Sequence, residues 1–126
     1  MRTMEAALKD ARPLVAKGQA VGPFAPRFAK IRCSWPTNPS DRDAEFDALA
    51  TAYLSAVSAL DRASGAASAG AFDGVLNACR ACHERACGGA IVAINALRLP
   101  GSAATDGAEP MDCKHPSPPS SPPPSR

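Results

Sequence analysis

Cys79-Arg80-Ala81-Cys82-His83 is the stretch on which the reading of this chain turns. Two cysteines two residues apart, with a histidine directly after the second, form the signature for covalent attachment of a c-type haem. Each thiol forms a thioether with one vinyl group of the porphyrin, and the imidazole that follows is left to serve as the proximal iron ligand. On a helix, positions 79, 82 and 83 stand at i, i+3 and i+4, so all three project from one face. In a chain with five Cys and two His among 126 residues, such a pentad is expected by chance roughly 0.003 times.

Working outward, Phe72, Leu76, Cys79, His83, Ala86 and Ala90 continue one four-three apolar pattern, which puts the motif on the inward stripe of a helix. Gly88-Gly89 should weaken or end that helix, and Ile91, Ile94 and Leu97 predict a last apolar turn or two packing back on the rest. Upstream, Phe46, Leu49, Ala50, Tyr53, Val57 and Leu60 form the buried face of a helix ending near Ala63-Ser64-Gly65. Ser40, in capping-box register with Asp43, predicts its start, and its Asp and Arg residues read most simply as a wet face. Cys33 to Pro39 has two prolines in four residues and reads as a loop. Before it, Pro23 and Pro26 with Phe24, Phe28 and Ile31 predict a short helix. The first helix, 1 to 17, carries Met1, Met4, Leu8, Ala11 and Val15 in one seam, with Pro13 near its end and Gly18 as terminator.

These segments, joined by short links and lacking any period-two strand pattern, predict an all-α chain: an antiparallel four-helix bundle over residues 1 to 99, with the cofactor in its interior. From Pro100 on, seven more prolines with Ser and Gly predict a disordered tail, 100 to 126. The 45% hydrophobic fraction is largely alanine, with four Phe, one Trp and one Tyr for bulk; a buried porphyrin would fill that deficit. A net charge of +2 with no dense basic run argues against nucleic acid or an anionic membrane as partner. No apolar run is long enough for a membrane span.

The motif has two rival readings. A redox dithiol wants a preceding strand, whereas Val75-Leu76-Asn77-Ala78 is helical in pattern. Zinc needs four converging ligands, so Cys79 and Cys82 would have to recruit from Cys33, Cys87, Cys113 and His115. Cys87 lies one turn beyond His83, and Cys33 sits in the loop expected to cross near it, so a Cys33–Cys87 disulfide and two free thiols both fit the sequence. An odd remainder of three cysteines cannot all pair internally.

An attachment motif on the last helix of a four-helix bundle resembles the class II cytochromes c, the cytochrome c′ family and its low-spin relatives. The likeness covers roughly residues 1 to 87: Pro13 to Gln19 is similar to the end of the family's first helix, Trp35 to its tryptophan after the second, and Ala71-Phe72 to the residues ahead of its motif. It implies one covalent haem c, Cys79 and Cys82 as thioether anchors, and His83 as the iron ligand. Arg80 matches a commonly basic position near the haem edge, and Trp35 would pack over that edge. The expected role is a single-electron carrier, not an enzyme, that docks on redox partner proteins and forms a homodimer through its first helices. A five-coordinate binder of nitric oxide or carbon monoxide is the alternative. The chain departs from the family at its start, where Met1 and Met4 stand near the distal position; Met4 is the candidate sixth ligand by analogy, against plain core filling.

Haem attachment to such motifs normally takes place outside the bacterial cytoplasm, which implies a periplasmic or otherwise exported protein. Met1 to Glu5 is not followed by the apolar run of a secretory signal. Either the start of this sequence is not the true one, or it has been trimmed, or the motif stays without haem.

Overall fold

Leu8, Ala11 and Val15 are all buried along one side of the first helix, α1 (Arg2–Ala16). In the computed structural model, residues 1–36, 38–86 and 88–100 are described. Of the expected seam, Met4 is half-buried and Met1 is 68% exposed, so the buried stripe begins about one turn into the helix. Pro13 sits inside α1 without ending it. The helix stops where the Gly18 N–H donates to the Val15 carbonyl (2.9 Å) and the Gln19 N–H to the Leu14 carbonyl (2.9 Å), the paired bonds of a Schellman turn. Gly18 has φ +73°, and a Cβ there would stand 3.2 Å from Gly65 Cα. Its carbonyl accepts the Gly65 N–H at 2.8 Å, tying the end of α1 to the link between the two long helices that follow.

The short second helix is a single turn, α2 (Ala25–Phe28), running on as a 3-10 turn over Ala29–Cys33. Its start is held from far along the chain: the N–H groups of Phe24 and Ala25 donate to the two carboxylate oxygens of Asp61 at 2.7 and 2.8 Å. Phe24 is buried and stacks on Phe28.

The third helix, α3 (Ala44–Arg62), begins later than the capping pattern suggested. Ser40 is not its cap. Pro39–Asp41 forms a 3-10 turn, with the Asn38 side chain accepting the Ser40 N–H, and Arg42 and Asp43 are extended. Helical backbone therefore starts only after Asp43, whose carboxylate accepts the Phe46 N–H at 2.9 Å. Nor are the charged residues here a simple wet face. The Arg42 side chain is 4% exposed; its guanidinium donates to the carbonyls of Ser34 and Arg32 and stacks over Trp35 and Phe46.

Ala50, Tyr53, Val57 and Leu60 of α3 are buried, as are Phe72, Val75 and Leu76 of α4 (Ala67–Ala86). The two long helices form the most extensive packing in the fold. They run antiparallel, since Arg85 in the last turn of α4 pairs with Asp43 and Glu45 at the start of α3. After α4 a 3-10 turn, Gly88–Ala90, reverses the chain into α5 (Ile91–Ala96). Ile91, Ile94 and Leu97 are buried there, the return anticipated from their spacing. Among the described residues the fold is all-helical, with five helices and no strand. The expectations for Cys87, for the tail and for its Cys113 and His115 concern residues outside that description.

Candidate functional site

Three walls converge beside the motif. Met4 and Leu8 come from α1, Leu76, Cys79 and His83 from α4, and Ala90, Ala93, Ile94 and Leu97 from the returning chain. They line a groove of about 140 Å3 whose surface is almost wholly apolar, with Arg2 and Glu5 of α1 also among its lining residues. Glu5 is engaged by Lys9 one turn on, at 3.0 Å.

Helical phase decides which motif residues reach this space. Phe72, Val75 and Leu76 are fully buried in the core, and continuing their stripe brings Cys79 and then His83 to the groove at i+3 and i+7 from Leu76. Both are half-buried. Cys82 is half-buried beside them but does not line the groove. The structure thus brings together Cys79, His83 and Met4, and leaves Cys82 at the groove's flank. Arg80 is buried and pairs with Glu84 at 2.6 Å. Neither it nor Trp35 lines the groove; the Arg42 guanidinium lies over the tryptophan ring.

The electrostatics favour neutral thiols. Burial, reinforced by the neighbouring Cys82, pushes the Cys79 thiol up to about 12, and burial likewise raises that of Cys82. Neutral thiols are poor nucleophiles in disulfide exchange. On a regular helix, side chains three apart have Cβ atoms about 5–6 Å from each other, longer than the roughly 3.5–4.5 Å of a disulfide. Both features weigh against a working redox dithiol. For zinc, no three His, Cys, Asp or Glu side chains converge among the described residues. Cys33 is an exposed free thiol, and Cys87, with which the sequence allowed either a disulfide or a second free thiol, is not among the described residues.

For covalent haem the fit is chemical and local: two thiols and an imidazole on one helix at i, i+3 and i+4, one thiol and the imidazole opening on an apolar groove with a thioether side chain on the opposite wall. Each of these residues is already present in the one helix or directly across from it. The donor set therefore suits the group, while the space left by the third wall is smaller than a porphyrin.

Sequence reasoning missed the residues that hold that third wall. Arg12 of α1 donates to the carbonyls of Leu97 (3.1 Å) and Arg98 (3.0 Å). Arg98 is 8% exposed, forms an ion pair with Asp73 and donates to Asn77 at 2.9 Å, both on α4. A local hint was the i, i+4 pair of polar residues Asp73 and Asn77 on α4.

Fold and site together define a class: an all-helical chain with two thiols and an imidazole displayed along one helix beside an apolar groove. Compared with protein-family models, with curated proteins and with solved structures, the chain finds no match in any of the three. Among the described residues no helix is long and apolar enough to cross a membrane.

Proposed function

We propose that this chain is a c-type haem protein of the class II type, carrying one covalent haem and passing single electrons between partner proteins. The observation that supports it best is the placement of Cys79 and His83 on the groove face of α4, with Cys82 at the intervening i+3 position. Cys79 and Cys82 are the thioether anchors in this reading and His83 the proximal ligand. When bound, the haem supplies a ferric/ferrous couple, the chemistry the polypeptide itself lacks.

The chain's own residues have positional tasks. His83 presents an imidazole nitrogen from a helix braced at its last turn by Arg85 on Asp43 and Glu45. The apolar lining from Leu8, Leu76 and Ile94 keeps water away and so holds the local dielectric low. Met4, on the facing wall, is the proposed sixth ligand. The four-helix arrangement belongs to this proposal as well: α1, α3 and α4 would be three of its members and the Ala25–Cys33 stretch the fourth. Export to the periplasm and a homodimer through the first helices follow from the same reading.

The test is coexpression with haem-attachment machinery, followed by an alkaline pyridine spectrum and an optical spectrum. Two saturated vinyl groups are expected in the unaltered chain, one in C79S or C82S. M4A should convert a low-spin spectrum to a high-spin one. A high-spin spectrum in the unaltered chain, shifting with nitric oxide, would point instead to the gas-binding role. No Soret absorbance at all would remove the haem reading.

A further inference from the structure

The groove is shut on one side by α5. Ala90, Ala93, Ile94 and Leu97 face Met4 and Leu8 across it, leaving about 140 Å3. Pockets that bury a drug-sized ligand hold roughly 300–1,000 Å3, and a porphyrin belongs at that scale. The groove as described lies below that range.

The three walls differ in how firmly they are set. α4 is packed along its length on α3, and α1 is fixed at its far end by the Gly18–Gly65 junction. α5 has six residues, whereas isolated helices below about 12–15 residues are marginal in water. Its position depends on Ile91, Ile94 and Leu97 and on two arginines. Arg12 reaches from α1 to the carbonyls of Leu97 and Arg98, and Arg98 reaches down to Asp73 and Asn77 of α4. Both ties meet at the C-terminal end of α5, the end away from the 3-10 turn that joins it to α4.

We propose that α5 is a gate over the motif, latched at its C-terminal end by Arg12 and Arg98, with a closed form as described and an open form in which the groove widens at Cys79 and His83. The proposal rests on the haem reading for what enters; the motion itself does not. A ligand too large for the closed form binds only the open one and shifts the population toward it.

The full chain made without haem serves as the first test. Alkylation by N-ethylmaleimide is followed at each cysteine by peptide mass spectrometry, with exposed Cys33 as internal standard. R98A and R12A should each raise the Cys79 rate about tenfold relative to Cys33, since each removes charged hydrogen bonds from the latch. R98K, which keeps a charge for Asp73, should fall between R98A and the unaltered chain. Hydrogen exchange on the unaltered chain gives a second readout: amides 91–98 should exchange well before amides 72–83. Equal exchange in the two stretches would overturn the gate, as would an unchanged Cys79 rate in both variants. Should R98A unfold, the exchange result decides alone. The haem-loaded chain separates the two proposals: haem uptake with α5 as protected as before removes the gate and spares the haem reading, whereas opening at 91–98 with no haem uptake does the reverse.

Discussion

Cys79 carries the sharpest consequence at the scale of single residues. Its folded-state thiol is pushed up to about 12 by burial, against an ordinary 9.0. The unfolded chain therefore ionises first as pH rises. The preference for the folded form is fully present below about 9 and is lost progressively as pH climbs toward 12. Urea midpoints of the haem-free chain should fall across that window, and C79S should flatten the fall; identical slopes would contradict the burial described. Asp61 gives a second prediction. D61A leaves the Phe24 and Ala25 N–H groups without their acceptor and should cost about 2 kcal/mol by urea unfolding. The motif residues were legible in the chain because their spacing is local and survives folding. Asp61 and Arg98 were not, since their partners lie far off in sequence: Phe24 and Asp61 stand 37 positions apart, and nothing between them signals the pairing.

At the scale of elements, apolar periodicity located α1, α3, α4 and the return of α5, because each buries a stripe and a stripe repeats at helical spacing. The start of α3 was misread for a physical reason. Ser40 and Asp43 are both good caps, and the choice is made by the Pro39 turn, which leaves Arg42 and Asp43 extended and hands the cap to the carboxylate. D43A should lower the urea midpoint of the chain at neutral pH. The Asp43 carboxyl is held below its ordinary 3.8 by the Phe46 N–H first and by Arg85 as well. Its contribution is thus complete above that value and is lost as pH falls through the lower folded-state one. D43N, which still caps but does not titrate, should lose less stability on acidification than the unaltered chain. Pro13 illustrates the opposite outcome: expected near the end of the first helix, it is accommodated three residues before the last, and the stop comes from Gly18. G18A must place a Cβ at φ +73° and 3.2 Å from Gly65, and should cost about 1–2 kcal/mol in a thermal or urea melt.

For the whole molecule, the shortage of large side chains predicted a core that needs filling, and the structure fills it from within. Ile94 of α5 and Leu97 at its C-terminal cap line one side of the groove, where the proposed haem would otherwise lie, and Ile91 is buried in the core. That substitution was not legible in the sequence: the spacing of these residues showed that α5 returns, while where it lands is set by Arg12 and Arg98. The haem-attachment reading accounts for a thiol, an imidazole and a methionine around one apolar space with a second thiol at its flank, and it makes the covalent bond the point on which everything turns. The most direct measurement is the intact mass of the chain purified from cells with haem-attachment machinery, after extraction with acidified acetone. The reading predicts a polypeptide heavier by one haem, with the added mass mapping to the peptide that holds Cys79 and Cys82. A colourless chain of unmodified mass, or pigment that leaves with the acetone, would contradict it.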